Sequence, residues 1–255
     1  MNNDIIVFYD GTFINLLSTI KYLLQEHIRP TNIVEEGTYT PSLFESTINP
    51  LIKNDPKFLN EIMAISSKRV LNIIFYLFLS AHKNSKLILY YFILNTFVFH
   101  DKVIYQRNLK CVNMALQISH HVSSENHKLK GFTRFKMIAN KFLYAEISPD
   151  NNVLPLLSNH FQKRLNNELW IIKDTKRNIL SIYDKKKYYI VPADSIILKD
   201  LSTNNNDNYY ENLWKAFFNT IAIKERKNLK CQMSFMPKKY WHNMIEMEDY
   251  NAKSN

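Results

Sequence analysis

The sequence has little glycine, little cysteine and no long apolar run, and each shortage excludes a class of protein. With three glycines in 255 residues, we expect glycine only where the backbone needs a positive φ or a close approach. The two cysteines, Cys111 and Cys231, are too few for a disulfide framework and form no CxxC pair, which indicates a reducing compartment. The longest apolar runs, residues 70–79 and 87–99, fall short of the roughly 20 residues of a membrane-spanning helix. We therefore expect a cytoplasmic protein with no membrane segment.

Positive charge is what the chain has in excess. Its 33 Lys and Arg outnumber 23 Asp and Glu, for a net charge of +10, and 46% of the residues are hydrophobic, which is ample for a packed core. The surplus is concentrated: residues 102–141 hold eight basic residues against one acid, residues 160–190 eight against three, and residues 224–239 six against one. If these segments meet in space, they form a basic face for a polyanion such as nucleic acid, with binding that weakens steeply as salt rises.

The chain begins with a predicted strand, a turn and a helix. Residues 5–9 are short, apolar and β-branched, and after Phe13 the apolar residues recur at helical spacing. Asp10 and Thr12 lie in the turn between them, so either is a candidate N-cap of the helix. The alternative is that Asp10 acts as a catalytic base. Because glycine-poor chains reserve glycine for special turns, Gly11 and Gly131 are both expected to form turns that present side chains.

The remaining pattern predicts an α+β fold, with an antiparallel sheet covered by helices. We expect one domain over residues 1–255, with a helical subdomain at residues 57–125 and a frayed tail at residues 249–255. Helices are predicted near residues 57–65, 67–81, 86–99, 102–124 and 153–165, around Trp214, Phe217, Phe218 and Ile221, and from Pro237 to residue 248. Strands are predicted at residues 132–138 and 142–147, joined as a hairpin through residues 139–141, and at residues 170–173, 179–183 and 188–191.

The histidines near basic residues are the main candidates for chemistry. His127 is placed at the end of a predicted helix and is followed by Lys128, Lys130 and Arg134, a group suited to a phosphate or to developing negative charge. The alternative is that His127 only caps the helix and that Arg134 pairs with a local acid. His160 and Arg164 lie one helical turn apart and can face the same ligand.

Aromatic residues next to lysines suggest contacts with nucleic-acid bases. Tyr240 and Trp241 directly follow Lys238 and Lys239, and rings beside a cationic groove suit unpaired bases, although core packing explains the two rings equally well. Arg177 with Asp174 has the simpler explanation of a turn and its ion pair. The clustered histidines at positions 120, 121 and 127 have no carboxylate or cysteine at ligand spacing, so we expect no metal site.

Several of these motifs together resemble a known family. The chain is similar to the bacterial domain-of-unknown-function family labelled "probable DNA metabolism protein". The resemblance implies an association with radical SAM proteins of DNA modification or repair. It also implies that any iron–sulfur cluster and SAM belong to that partner, with no cofactor in this chain. The similar segments are residues 9–13, 78–80, 127–135, 143–150, 160–164, 170–177 and 213–241.

Three functional hypotheses stay open. The first is a nucleic-acid-binding accessory protein of DNA repair that presents a substrate, DNA in the first place, to the radical SAM partner. The second is a base-processing hydrolase, either a glycosylase or a nuclease, in which His127, His160 and Asp10 are the catalytic candidates. The third is a scaffold whose basic face meets an acidic protein. The candidate nucleic-acid contacts are Lys128, Lys130, Arg134, Arg164, Arg177, Arg226, Lys238, Lys239, Tyr240 and Trp241.

Overall fold

The structure is a computed structural model, and its chain divides into two compact units, Met1–Ser123 and Ser124–Asn255, each described by itself. The prediction of a single domain stays a prediction. Some expected features lie outside the described residues: Arg226, the hairpin turn, most of the helix around Trp214, and the tail. The described residues are 4–42, 45–50, 54–138, 142–193, 214, 216, 220 and 228–247.

The first unit is built on a three-stranded parallel sheet. Strand β1 (Asp4–Tyr9) is central, with β2 (Asn32–Glu35) on one side and β3 (Glu45–Ile48) on the other. Helix α1 (Phe13–Gln25) carries the chain from the end of β1 back to the start of β2, so the two strands run in the same direction. The expectation of an antiparallel sheet is wrong for this unit, because the crossover helix allows only parallel pairing.

The turn between β1 and α1 is a capped helix start. Thr12 is the N-cap, and its Oγ1 accepts a hydrogen bond of 3.2 Å from the backbone N–H of Asn15, as predicted. Asp10 is exposed and accepts from the backbone N–H and the hydroxyl of Thr12, at 2.8 and 2.7 Å. These bonds supply the structural role of Asp10, and its role as a catalytic base stays a prediction. Gly11 has a φ of +85°, which confirms the expected special turn.

Gly11→Ala is expected to destabilise the protein by about 1–2 kcal/mol, because an L side chain at this φ is strained. A Cβ there would also lie 2.6 Å from Oε1 of Glu35, which must move aside. Gly131→Ala is the matched control: its Cβ meets nothing within 4 Å, and alanine in a helix is favoured by about 1 kcal/mol. Urea unfolding followed by circular dichroism checks both variants, and equal midpoints for the two would contradict the argument.

Helices make up the rest of the first unit. They are α2 (Lys57–Ile65), α3 (Lys68–Leu79), α4 (Ser85–Phe99), a 3-10 helix (His100–Tyr105) and the start of α5 (Lys110–Phe132). Among the described residues one helical stretch, Ser85–Tyr105, is long and apolar enough to cross a membrane. This is weak evidence of a membrane span, since core helices of water-soluble proteins meet the same criterion. The prediction of no membrane contact stays a prediction.

Helix α5 differs from its predicted bounds of 102–124. It begins at Lys110, after the 3-10 helix, and continues to Phe132. Glu125 and Asn126 look like a helix end in the sequence because they are polar, yet both are buried on the face that also carries Leu129. Two expectations are therefore wrong. His127 lies inside the helix rather than at its end, and Gly131 is helical rather than part of a turn with positive φ.

The second unit is built on a mixed five-stranded sheet in the order β4-β5-β6-β7-β8. The predicted hairpin of β4 and β5 is confirmed, and β6, β7 and β8 form the predicted antiparallel meander. The pair β5–β6 is parallel, contrary to expectation, because helix α6 (Leu154–Arg164) crosses between them. The strands are β4 (Lys136–Ile138), β5 (Phe142–Ile147), β6 (Trp170–Asp174), β7 (Ile179–Tyr183) and β8 (Tyr188–Pro192).

Helix α6 packs on the sheet through a regular apolar stripe. Leu154, Leu157 and Phe161 are buried at helical spacing, and the hydroxyls of Ser158 and of Ser181 on β7 share a hydrogen bond of 2.6 Å. Trp170 on β6 is fully buried and stacks on Tyr183, with 5.1 Å between ring centroids. Trp170 is therefore part of the core of this unit.

The described end of the chain is more broken than the single helix predicted from Pro237 to residue 248. Helix α7 (Leu229–Phe235) precedes two 3-10 helices, Lys238–Asn243 and Ile245–Met247. The expectation of one α-helix is wrong because the backbone N–H of Met244 bonds to the carbonyl of Trp241, three residues earlier, at 3.0 Å.

Candidate nucleic-acid interface

The second unit carries most of the positive charge. Residues 124–255 hold 22 Lys and Arg against 14 Asp and Glu, which is +8 of the +10 total. In the described part of this unit, four carboxylates form ion pairs, and they do so with only four of its basic residues. The remaining basic residues have no described carboxylate within 4.0 Å. They are Lys128, Lys130, Lys136, Lys163, Arg164, Lys173, Lys185, Lys186, Lys187, Lys230 and Lys238.

Glu125 on α5 combines an ion pair with several hydrogen bonds. Its side chain is buried and accepts hydrogen bonds from the backbone N–H groups of Asp150 and Asn151, at 2.9 and 2.8 Å, and from the Asn151 amide at 2.7 Å. The Tyr240 hydroxyl donates to it at 3.0 Å, and Lys239 Nζ lies 3.4 Å away. Burial raises the pKa of Glu125, but the bonds from Asn151 and Asp150, with the Lys239 charge, leave it below the usual value.

The loop after β5 contacts two of the predicted nucleic-acid-binding residues, Lys239 and Arg177. Asp150 pairs with both Lys176 and Lys239. Arg177 donates to Asp174 at 3.0 Å and to the Pro149 carbonyl at 3.2 Å, and Asp174 is fully buried. The interpretation of Asp174 and Arg177 as a turn and its ion pair is thus confirmed, and the binding role of Arg177 stays a prediction.

Arg134 pairs with an acid, as its alternative interpretation proposed. Its Nη2 and Nε donate to Oε1 of Glu246 at 2.6 and 3.1 Å, and Nη1 donates to the Gly131 carbonyl at 2.6 Å. The acid is 112 positions away in the sequence rather than local. The Glu246 side chain is only 2% exposed, so this ion pair is largely removed from water. Burial raises the pKa of Glu246, yet bonds led by that from Arg134 hold it below its usual value.

The predicted aromatic contacts are mostly internal. Tyr240 is 2% exposed and Trp241 is 4% exposed, which favours the core interpretation of both rings. Lys239 is held by Asp150 and Glu125, whereas Lys238 is exposed, with its Nζ 5.9 Å from the ring centre of Trp241. Of these four residues, Lys238 has the side chain most available to a ligand.

The structure brings together three other predicted residues. Burial lowers the pKa of His160 on α6, and the charges of Lys130 on α5 and of Arg164, one turn farther along α6, lower it further. We call Lys130, His160 and Arg164 the basic cluster. His127 is exposed on α5, and no hydrogen bond joins its side chain to another described residue. The catalytic roles of His127 and His160 stay predictions.

An exposed lysine turn joins β7 and β8. We define the lysine turn as Lys185, Lys186 and Lys187. The Asp184 carboxylate accepts from the backbone N–H groups of Lys186 and Lys187, both at 2.8 Å, so the backbone holds the turn and the side chains point outward. Lys187 Nζ lies 4.9 Å from the ring centre of Tyr189, which is 44% exposed.

A polar pocket of about 160 Å³ lies at the open edge of β5, where β4 no longer pairs with it. Tyr144 donates to Glu146 at 2.5 Å, and Ser148 and His242 share a hydrogen bond of 2.7 Å. Glu146 and His242 were not predicted as site residues, although alternation along β5 indicates that Tyr144 and Glu146 share a face. The lining is Arg134, Lys136, Tyr144, Ala145, Glu146, His242, Asn243, Met244 and Ile245.

Lys86 of the first unit, which was not predicted as a site residue, has a strongly shifted pKa. Burial lowers its pKa to about 8, opposed by the charge of Glu35. Its Nζ donates to the Phe78 carbonyl at 2.5 Å and lies within 3.5 Å of the Ser80 carbonyl and the Ser85 hydroxyl. Three acceptors match the three donors of an ammonium group, so the arrangement closes the end of α3 and leaves no donor for a ligand.

The cysteines occupy ordinary environments. Cys111 is half-buried, with Asn95 Nδ2 at 3.5 Å from its sulfur, and Cys231 is exposed. Across the described part of the chain, no three His, Cys, Asp or Glu side chains are grouped to hold a metal ion. The expectations of no metal site and no cofactor in this chain stay predictions.

Comparison with curated proteins found no match, and comparison with solved structures found none either. Residues 83–246 match the family described as Domain of unknown function (DUF4130). The matched region covers more than half of the chain. It includes the basic cluster, the lysine turn, the β5-edge pocket and the ion pairs of Glu125, Arg134 and Asp174. The chain therefore belongs to the DUF4130 family.

Proposed function

We propose that the chain binds nucleic acid through the positive surface of its second unit, as an accessory protein of DNA modification or repair. The observation that carries this proposal is the separation of charge in that unit. Three of its carboxylates, on Glu125, Asp174 and Glu246, are buried and form internal ion pairs, whereas most of its lysines have no described carboxylate beside them. Lysines without a neighbouring carboxylate can bind phosphates and release the counterions condensed on the nucleic acid. This release is the main source of affinity for nucleic acid.

The lysine turn gives this surface a definite contact point. Its three ammonium groups are exposed on a turn that the backbone holds in place, and the exposed ring of Tyr189 lies beside Lys187. Cations that follow a backbone and rings that stack on bases are the combination used for single strands. We therefore propose a preference for single-stranded or locally opened nucleic acid. Tyr240 and Trp241 are left out of the contact surface because they are buried.

The lysine turn predicts a measurable change in salt dependence. With a labelled oligonucleotide in fluorescence anisotropy, the logarithm of the binding constant should fall linearly with the logarithm of salt concentration. Each phosphate contact contributes about 0.7 to the slope for a single strand. The triple variant Lys185→Glu, Lys186→Glu and Lys187→Glu should therefore bind more weakly, with a slope smaller by about 2. Tyr189→Ala should weaken single-strand binding and leave duplex binding nearly unchanged, since duplex bases are already stacked.

The matched control reverses three exposed lysine or arginine charges of the first unit. Lys68, Arg69 and Lys83 are exposed and have no carboxylate within 4.0 Å in the described ranges. Changing all three to Glu alters the net charge by the same amount, so it should have a much smaller effect if binding occurs on the second unit. If the natural protein does not bind the oligonucleotide at low salt, or if its binding does not depend on salt, the proposed function is contradicted.

We also propose a radical SAM enzyme as the partner that receives the bound nucleic acid. The support is the resemblance of residues 127–135, 160–164 and 213–241 to the DNA metabolism family, whose members accompany such enzymes. Co-purification of the two proteins after nuclease treatment tests this assignment. Loss of the complex on nuclease treatment would show that nucleic acid alone joined them.

A further inference from the structure

The β5-edge pocket lies where the sheet has a gap beside β5. Strand β4 begins at Lys136, opposite Tyr144, so it does not reach the position opposite Glu146, two residues farther along β5. Residues 242–245, in and after the 3-10 helix Lys238–Asn243 that packs on β5, complete the lining. The pocket of about 160 Å³ is therefore bounded by a strand edge and by side chains, and its size suits a small ligand rather than another strand.

The backbone of Glu146 directs a donor and an acceptor into this gap. The N–H of Leu143 donates to the Leu169 carbonyl at 2.9 Å, and the Ile147 carbonyl accepts from the N–H of Thr175 at 2.9 Å, so these residues of β5 turn their backbone groups toward β6. Because the direction of these groups alternates along a strand, those of Glu146 face the β4 side. Within the described ranges no backbone group bonds to the N–H or the carbonyl of Glu146. A ligand with an acceptor next to a donor can pair with both.

The side chains of the pocket add charges of both signs. Lys136, Tyr144 and Glu146 lie on one face of the sheet, because Lys136 is opposite Tyr144 and Glu146 is two residues along the strand. The Tyr144 hydroxyl donates to Oε1 of Glu146 at 2.5 Å, which leaves Oε2 as an acceptor. In the described part of the chain, no carboxylate lies within 4.0 Å of Lys136 Nζ, which is 6.0 Å from the ring centre of Tyr144. The pocket thus offers a backbone donor, a backbone acceptor, a carboxylate oxygen and an ammonium group.

We propose that the β5-edge pocket binds a single unpaired guanine base. The pairing edge of guanine presents the acceptor O6 beside two donor groups, N1–H and the N2 amino group. O6 matches the backbone N–H of Glu146, N1–H matches its carbonyl, and the amino group matches the free carboxylate oxygen. Adenine, cytosine and uracil have one donor group on this edge, so each leaves an acceptor of the pocket without a partner. Met244 and Ile245 give the lining an apolar part for the faces of the base.

The guanine can belong to a free nucleotide or to a strand of nucleic acid, and only the second source rests on the function proposed above. In both cases a phosphate is attached to the sugar, and the ammonium group of Lys136 is suited to bind it. A base in a single strand enters a pocket at lower cost than a base in a duplex, whose pairing and stacking must first be broken. The site therefore agrees with a preference for single strands and adds the selection of one base.

Isothermal titration calorimetry with the four nucleoside 5′-monophosphates tests the site. Guanosine monophosphate is expected to bind at least about tenfold more tightly than the other three, because a well-paired base contact discriminates by this much or more. Glu146→Ala removes the carboxylate and keeps the backbone N–H, so it should weaken guanosine monophosphate binding at least about tenfold. Glu146→Pro also removes the N–H and should abolish binding, and proline is tolerated there because this N–H does not bond to β6.

Glu168→Ala is the matched control for Glu146→Ala, because Glu168 is exposed and does not line the pocket. Circular dichroism checks that each variant is folded. If guanosine monophosphate does not bind, or if all four nucleotides bind equally, the guanine site is overturned. Equal binding by Glu146→Ala and Glu168→Ala overturns it as well.

The link to nucleic acid is tested by fluorescence anisotropy with an oligothymidine that contains one guanine and with the same oligothymidine without it. The guanine should strengthen binding at least about tenfold, and Glu146→Ala should remove this gain. Equal binding of the two oligonucleotides overturns the role of the pocket in a strand and leaves the proposed function intact. Binding of guanosine monophosphate by a protein that binds neither oligonucleotide supports the site and rejects the proposed function.

Discussion

Glu125→Gln is expected to lower the free energy of unfolding of the second unit by about 2–4 kcal/mol. Whichever way the new amide turns, its NH₂ group faces at least one backbone N–H, of Asp150 or Asn151, that now donates to the carboxylate. A buried donor left without an acceptor costs about 1–3 kcal/mol, and the lost charge-assisted bonds add to this. All three tryptophans lie in this unit, so urea unfolding followed by tryptophan fluorescence reports on it directly.

The pKa of Glu125 sets the pH range of this effect. Because the folded protein holds that pKa below its usual value of about 4.3, the stabilisation is fully present above that pH. It is lost as the pH falls through the lower folded value. Glu125→Gln should therefore make the unit less sensitive to acid as well as less stable at neutral pH.

Glu168→Gln provides the control for the Glu125 substitution. Glu168 is exposed in the connection before β6, so the same chemical change should alter stability by less than about 0.5 kcal/mol. If Glu125→Gln lowers the free energy of unfolding as little as Glu168→Gln does, the contacts of Glu125 do not stabilise the unit.

Arg134→Ala is expected to destabilise the second unit by about 3–5 kcal/mol, since it leaves the carboxylate of Glu246 buried without its cation. Adding Glu246→Gln to this variant should recover part of the loss, because a neutral amide is less costly to bury than a carboxylate. A double-mutant cycle of urea unfolding experiments measures the coupling between the two residues.

Arg164→Ala is the control for Arg134→Ala, as it removes the same side chain at an exposed position. Its effect on stability should be within about 0.5 kcal/mol. Equal effects of the two variants, or no recovery from Glu246→Gln, would contradict the buried ion pair. The comparison also separates roles: weaker nucleic-acid binding by Arg134→Ala reflects a damaged fold, whereas the same result for Arg164→Ala reflects a lost contact.

The sequence predicted the elements of the second unit well and their pairing less well. Strands β6, β7 and β8 lie within one residue of their predicted bounds, because alternation and turn residues are local signals. The parallel pairing of β5 with β6 was missed, although the predicted helix between them already implied a crossover. The end of α5 was missed because Glu125 and Asn126 are polar and their burial depends on distant partners.

The candidate site was predictable where its residues are neighbours in the chain. His160 and Arg164 were correctly predicted to share one helix face. Lys130 was predicted to group with His127 and Arg134, whereas in the structure its charge acts on His160. The pair of Arg134 and Glu246 spans 112 positions, and that of Glu125 and Tyr240 spans 115. Nothing in the spacing of one sequence reveals such partners, since only the folded chain brings them together.

The placement of the Glu125 partners also governs when this half of the protein can finish folding during synthesis. One partner, Asp150, emerges soon after Glu125, but Lys239 and Tyr240 follow Glu125 by 114 and 115 positions. Until then the carboxylate lacks two of its contacts, and water must supply the missing hydrogen bonds. A ribosome that stalls before residue 239 would thus release an unfinished product that quality-control proteases can recognise.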